Sequence, residues 1–495
     1  MMRLACGLRP DGPRQQNSEV VTVERNAELG KDTMRPGLED TMRKLTSWII
    51  VASLGAIGCA GDPGSPGAVV YEGARLIIGD GTAPIDDGVF VVQDGRFVAV
   101  GPRGVVAPPV GATVVNLTGK TVMPAMINVH SHVGYEGYTS WGPENQTVEN
   151  ILDHMKRAAF YGTAATVSVG TSPTELSVQF QRDQRAGRFP PASQYLFMPG
   201  MAPPNGGPDR VLREATNVLR VVNEVTTADE ARAAVQRMVE QQIEHVKMWV
   251  DDRGGSYPKL TPDVYEAIID EAHRHDMIVY AHAIRLADQK AVVAAGADVL
   301  VHMAQREPLD EEYLALLREK RPYWATVIGL SDTPNGVCAP DPFFEQALPD
   351  SLIAAIRAQT ERRSLAASCG PPNEARESQM AINFPRMLEA GARVVLATDT
   401  GIHPGHTFGS GEHVELARWV QLGMTPAEAI VAATSRPADL MGLADLGTLA
   451  AGKRAAFIVL DANPLDDIRN TRMISDVYLD GARFDREGLL PGLKK

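Results

Sequence analysis

The sequence predicts an α/β protein: a (β/α)8 TIM-type barrel over residues 120–443, carrying a small β-sandwich domain built from both chain ends, residues 68–119 and 444–495. Two observations predict it. Between Thr121 and Ala397, eight short β-prone runs alternate with helical stretches, a rhythm that fits a barrel better than an open sheet. On both sides of that region the texture changes to short strands broken by Asp-Gly turns, so the two ends share one character and the middle has another.

Each element has its own signal. Near the start, β-prone runs at 69–71, 74–78, 88–92 and 96–100 are separated by Asp80-Gly81 and Asp94-Gly95, dipeptides that accept the positive φ of tight turns. The barrel strands are predicted at 121–129, 164–169, 195–198, 245–250, 278–281, 298–301, 323–327 and 393–397. Helices between them carry start signals: Thr227-Ala-Asp-Glu230 and Thr425-Pro-Ala-Glu428 read as capping boxes, and Thr261-Pro262 places proline at a first helical position. Strand character returns at 455–460 and 474–479, with Asp480-Gly481 as the turn that follows.

Composition narrows the function. The 495 residues include 61 acidic and 48 basic side chains, a net charge of −13, which argues against a nucleic-acid-binding face. No apolar run reaches the ~20 residues that span a bilayer, so a multipass membrane protein is excluded. The four cysteines, Cys6, Cys59, Cys338 and Cys369, show no C-x-x-C spacing and make neither a zinc ribbon nor a disulfide-stapled miniprotein.

The amino terminus reads as an address. Residues 1–41 are polar and aperiodic, a non-structural extension. Residues 42–58 follow Met42-Arg43-Lys44 with an apolar run and end on small residues, the layout of a secretory signal peptide. The segment Ala56-Ile57-Gly58-Cys59 resembles a bacterial lipoprotein processing site, which makes Cys59 a candidate for lipidation, with plain secretion or a buried helix as the other readings. Residues 59–67, through Asp62-Pro-Gly-Ser-Pro-Gly67, form a flexible linker. The expected location is therefore exported, either periplasmic or lipid-anchored at the cell envelope of a bacterium. In that setting Cys338 and Cys369 form either a disulfide or two buried thiols.

Chemistry concentrates at predicted strand ends, where barrel enzymes carry their catalytic residues. His130 and His132 close the first strand in Asn128-Val-His-Ser-His132, and their i, i+2 spacing puts both imidazoles on one face. Lys247 lies among apolar residues of the fourth strand. His282, His302 and Asp399 end the fifth, sixth and eighth. Singly, each has a plain structural reading: a packed histidine, an ion-paired lysine, a helix cap. Together, four histidines and a carboxylate at one mouth make a nitrogen and oxygen ligand set suited to Zn2+ or a similar divalent ion.

The order H-x-H, Lys, His, His, Asp resembles the amidohydrolase superfamily, in its imidazolonepropionase-like branch. The likeness runs from about residue 68 to the end and includes Met123-Pro-Ala-Met-Ile-Asn-Val-His-Ser-His132, Gly423-Met-Thr-Pro-Ala-Glu-Ala429, Ala432-Ala-Thr434 and Gly447-Thr-Leu-Ala-Ala-Gly-Lys453. The resemblance implies two divalent metal ions: His130 and His132 on the more buried one, His282 and His302 on the more exposed one. It also implies that Lys247 is carboxylated, its carbamate joining both, and that Asp399 serves as ligand and catalytic base. The reaction it implies is hydrolysis of a carbon–nitrogen bond in a dipeptide, an N-acyl amino acid or a related small amide, by a metal-bridging hydroxide. Lactone or phosphoester hydrolysis, and a non-catalytic binding barrel, are the alternatives. No nucleic acid is an expected partner, a membrane only through the lipid anchor, and a homo-oligomer is compatible with the chain.

Three features depart from that pattern or stand outside it. The segment usually reading Pro-Gly-x-Ile-Asp before H-x-H is Pro-Ala-Met-Ile-Asn here, and Arg285 stands three residues after His282 where a small residue is usual. Arg285 is either solvated on the next helix or placed to hold a substrate carboxylate. The loop after Asp399 carries His403, His406 and His413 among Gly401, Gly405, Gly409 and Gly411; His403 and His406 are candidate substrate contacts on a mobile loop, or surface histidines.

Overall fold

The computed structural model describes residues 67–304, 306–329, 341–360, 373–403 and 406–493. The signal peptide, Cys59 and the pairing of Cys338 with Cys369 therefore fall outside the described residues.

The chain opens with β1 (Val69–Leu76), β2 (Ile85–Gln93), β3 (Arg96–Pro102), β4 (Thr113–Asn116) and β5 (Thr121–Pro124). A parallel region follows: β6 (Met126–Ser131), β7 (Thr163–Val169), β8 (Gln194–Met198), β9 (Gly200–Ala202), β10 (Val222–Glu224), β11 (His245–Trp249), β12 (Ile278–His282), β13 (Val299–Val301), β14 (Tyr323–Ala325) and β15 (Arg393–Val395). The chain returns to the first sheet with β16 (Phe457–Leu460), β17 (Ile474–Leu479) and β18 (Ala482–Arg483).

Both chain ends do meet. Their strands pair in the order β18-β17-β16-β5-β1-β2-β3, with β4 beside β1. All eight belong to one mixed sheet, where the sequence suggested two facing ones. Alternation along its strands buries both faces: Tyr71 and Phe90 pack with Phe457 and Tyr478 on one, while Val70, Val89 and Val91 pack on the other. Phe457 and Tyr478 stack at 4.4 Å, and Tyr71 and Phe90 at 4.7 Å, so aromatic contacts join residues far apart in sequence. The turns at Asp94-Gly95 and Asp480-Gly481 form as expected, with φ of 49°, 75°, 50° and 76°. They also touch: a Cβ on Gly95 would lie 2.8 Å from the Asp480 carbonyl oxygen, so glycine serves both conformation and space there.

All eight strands expected in the middle of the chain are present, but the first is divided. Residues up to Pro124 pair antiparallel with β16 in the mixed sheet, and from Met126 the chain pairs parallel with β7. The parallel strands are buried almost throughout, as strands covered on both faces must be. Among the described residues, pairing runs in two ladders, β6-β7-β8 and β10-β9-β11-β12-β13-β14-β15, rather than in one closed ring. Single backbone bonds join their margins: Val129 N donates to Leu396 O at 2.8 Å, and Thr398 N to His130 O at 3.1 Å. This contact sets the end of β6 against the chain leaving β15.

The helix starts are as expected. Thr227 accepts from the Glu230 amide while the Glu230 carboxylate accepts from Thr227, and Thr425 and Glu428 repeat the arrangement. The helix Pro262–Arg274 begins at its proline. Among the described residues, no helix is long and apolar enough to cross a membrane.

Candidate active site

Six side chains from six positions in the chain line one small cavity: His130, His132, Lys247, His282, His302 and Asp399. Each is carried there by a parallel strand, within it for Lys247 and at or just past its end for the others. His130 lies at the end of β6 and His132 just beyond it. Lys247 is inside β11, paired with Tyr280 of β12, and His282 closes β12 opposite Trp249. β13 and β15 stop early, and the chain leaves them through His302 and Asp399 with φ of 70° and 58°. Left-handed backbone is tolerated better by these two residue types than by most, and strain of this kind gathers at functional sites.

Asp399 is the hub. Its Oδ1 lies 2.9 Å from His132 Nε2 and 3.2 Å from His130 Nε2. The rings of His282 and His302 are 4.5 Å apart, edge to face, and His302 is 6.2 Å from His130. Supporting contacts fix these orientations. His132 Nδ1 lies 2.8 Å from Thr171 Oγ1, which leaves Nε2 turned to the cavity. Asn128 accepts from the His130 amide and donates to Thr398 Oγ1 and to the buried Glu412 carboxyl. Trp324 Nε1 donates to the His302 carbonyl at 2.7 Å.

Burial governs the charges. It pushes Lys247 down to about 7, with Asp399 opposing and Arg253 adding to the shift. Burial likewise holds His130, His282 and His302 well below the usual imidazole range, so these rings are neutral with lone pairs to give. For Asp399, burial acts to raise the pKa, but hydrogen bonds from His130 and His132 prevail and keep the carboxylate ionised. The donor atoms of His130, His132 and Asp399 all lie within 4.8 Å of one another. Imidazole nitrogens beside an anionic oxygen in a buried cavity are a fitting donor set for a divalent cation.

The candidate substrate residues fare differently. Arg285 stands just before the helix Leu286–Ala295, its side chain 53% exposed and 3.9 Å from Asp252. It does not line the cavity, and neither do His403 and His406. His403 lies 3.5 Å from an Asp209 carboxylate oxygen, and burial pushes His406 down to about 4. From that loop Ile402 reaches the cavity, as do Pro208, Trp249 and Arg253 from elsewhere. Arg253 and its partner Asp251 were not anticipated. A signal did exist: Asp251-Asp-Arg-Gly-Gly255 places three charges directly after the lysine-bearing strand.

Gly401 carries the chain away from Asp399 at φ 90°, and a Cβ there would run into the His132 carbonyl oxygen. Gly401→Ala should therefore cost ~2 kcal/mol or more, from left-handed strain plus the clash, and should lower metal content with it. Thermal unfolding with metal analysis checks this; an unchanged midpoint would show that the loop simply relaxes.

Comparison with known proteins agrees with this geometry. The model of the amidohydrolase family matches residues 121–483. An ochratoxinase of Aspergillus niger is 27% identical over 280 residues, covering 53% of this chain and 51% of that protein, so the chain spans about half the length of this curated relative. An imidazolonepropionase of Deinococcus radiodurans is 36% identical over 103 residues, 20% of this chain and 25% of that protein. Among solved structures, a Xaa-Pro dipeptidase with bound methionine superposes with a TM-score of 0.66 at 20% identity, over 84% of this chain and 99% of that one. Phenylurea hydrolase B gives 0.66 at 23% identity, over 86% and 98%. These likenesses establish a TIM-barrel-like α/β fold. With a family match over most of its length, on a fold that brings four histidines, a lysine and an aspartate to one cavity, the chain belongs to the amidohydrolase family.

Proposed function

We propose that this protein is a metal-dependent hydrolase that cleaves the carbon–nitrogen bond of a small amide, such as a dipeptide or an N-acyl amino acid. The observation that carries the reading is the convergence of four histidines, a buried lysine and an ionised aspartate on one cavity. Relatives that include an ochratoxinase and a Xaa-Pro dipeptidase support the amide as the substrate class.

His130, His132 and Asp399 would hold one divalent ion, His282 and His302 a second, and Lys247 as a carbamate would stand between, with Zn2+ the best match to these donors. Ions on such donors supply Lewis-acid polarisation of a carbonyl and a water acidified towards neutral pH. The chain does the rest. Asp399, kept ionised, is placed to take a proton from the attacking water and to deliver it to the departing nitrogen. The scissile amide would lie among these six side chains, and the rest of the substrate would extend past Pro208, Trp249 and Ile402.

The test is a panel of dipeptides, N-acyl amino acids, lactones and phosphoesters with purified, metal-loaded protein. Amide cleavage is expected, falling ~100-fold or more on treatment with a chelator and returning with Zn2+. Cleavage confined to lactones or phosphoesters would overturn the amide reading. Full activity in metal-free protein would overturn the metal.

A further inference from the structure

We propose that Arg253 is the carboxylate-recognising residue of this site, and that the enzyme therefore selects amides bearing a carboxylate near the scissile bond; this rests on the carbon–nitrogen hydrolase reading above. The loop after β11 is built to send this side chain inward. Arg253 N donates to Asp251 Oδ1 and Gly254 N to Asp252 Oδ1, each at 2.9 Å, which makes two successive side-chain-closed turns. Arg253 itself is held at φ 49°, and Gly254 and Gly255 follow at 77° and 84°. A bulky residue in left-handed backbone at a strand end is strain that calls for a functional reason.

Inside the cavity, Arg253 Nη1 donates to Asp251 Oδ2 and lies 2.9 Å from His282 Nε2. The guanidinium is thus beside a ring that defines the reacting centre. Its Nε, however, is buried and has no hydrogen-bond partner among the described residues. A guanidinium carries five N–H donors in a planar fork. Asp251 tethers it through one nitrogen and leaves the fork open. A buried, unpaired N–H of a cation is costly unless a ligand completes it, and a carboxylate is the planar, anionic acceptor that fits bidentately. Arg285 cannot serve in the same way, because its side chain is mostly in solvent and outside the cavity.

A guanidinium in this place could serve a substrate carboxylate or the negative charge that develops on the amide oxygen, and the two make different demands. The experiment uses metal-loaded wild-type, Arg253→Gln and Arg253→Lys proteins on N-acyl amino acids and on their C-terminal carboxamides. Wild type should prefer the acids ~10–100-fold in kcat/KM, the range set by a charge-assisted hydrogen-bond pair. Arg253→Gln keeps an N–H for Asp251 but loses the charge. Its acid-to-carboxamide preference in kcat/KM should fall by that factor, chiefly through a raised KM on the acids. Arg253→Lys, a point charge without the fork, should recover part of it. Calorimetry with the product amino acid gives a second readout: its Kd should weaken by the same factor in Arg253→Gln. Equal losses on acids and carboxamides would overturn the proposal in favour of the amide oxygen, and unchanged preference, or a preference removed by Arg285→Met instead, would overturn it outright. Wild-type protein that cleaves neither class would strike at the hydrolase reading itself, whereas wild-type cleavage of carboxamides as readily as acids would leave that reading standing and remove this one.

Discussion

Lys247→Ala is expected to lower amide turnover by ~1,000-fold or more and to cut bound metal from about two ions per chain towards one. The reason lies in where Lys247 sits. Its side chain is about 1% exposed, and it reaches a cavity that already holds His130, His132, His282, His302 and Asp399. An ammonium cannot share that space with two dications, whereas a neutral amine can add CO2 to give a carbamate with two anionic oxygens. Room for the side chain is made from outside as well. A Cβ on Gly170 would lie 3.2 Å from Lys247 Cγ, and Trp249 stands 5.7 Å from the lysine nitrogen. On the proposed reading, removing the side chain would remove the carbamate and leave a gap that a small carboxylate could fill. Millimolar formate or acetate should restore part of both metal content and rate. Lys247→Glu, which carries its own carboxylate, should retain more metal than Lys247→Ala. Two metals and near-normal turnover in Lys247→Ala would sink the carbamate.

Much of this site was legible because it follows from strand geometry. H-x-H spacing in an extended chain must put two imidazoles on one face, and a parallel strand must deliver its last residue to the carboxyl end. The six ligand candidates come together for that reason. Capping boxes and Asp-Gly turns were equally readable, since each is a local hydrogen-bond or φ requirement met by a few neighbouring residues. What escaped notice depends on the rest of the chain. The run 121–129 is apolar on both sides because it belongs to two sheets in succession, so its hydrophobic pattern hides the break at Ala125, which only Pro124, unable to donate to a ladder, marks locally. β9 and β10 are three residues each, too short for any periodicity to show. Whether the terminal strands make one sheet or two is decided by partners hundreds of residues apart, as in the pairing of β5 with β16. The arginines show the same limit. Arg285 is close to His282 in sequence, but the helix start turns it to solvent, whereas Arg253 is turned inward by backbone torsion that no spacing rule reports.

Asp399→Asn is expected to lower kcat for dipeptide-like amides by ~100–10,000-fold, the range of a lost general acid–base group. The substitution is chosen because asparagine also tolerates left-handed backbone and keeps an oxygen where His130 and His132 meet Oδ1. The thermal midpoint should therefore move little, and a rate loss cannot be blamed on unfolding. A ligand role and a proton-transfer role both predict slow turnover, so the size of the loss does not separate them. The leaving group does. If Asp399 hands a proton to the departing nitrogen, the penalty depends on how badly that nitrogen needs one. An alkyl amine needs it before the bond can break, whereas a nitroaniline leaves with little help. The deficit of Asp399→Asn should then shrink by ~10-fold or more from an N-acyl amino acid to the matching nitroanilide. Metal content measured on the same samples removes the remaining ambiguity, because a ligand that merely lost its ion would slow both substrates alike. A uniform deficit in fully metallated Asp399→Asn would assign this carboxylate to holding the site together and would send the search for the proton donor elsewhere in the cavity.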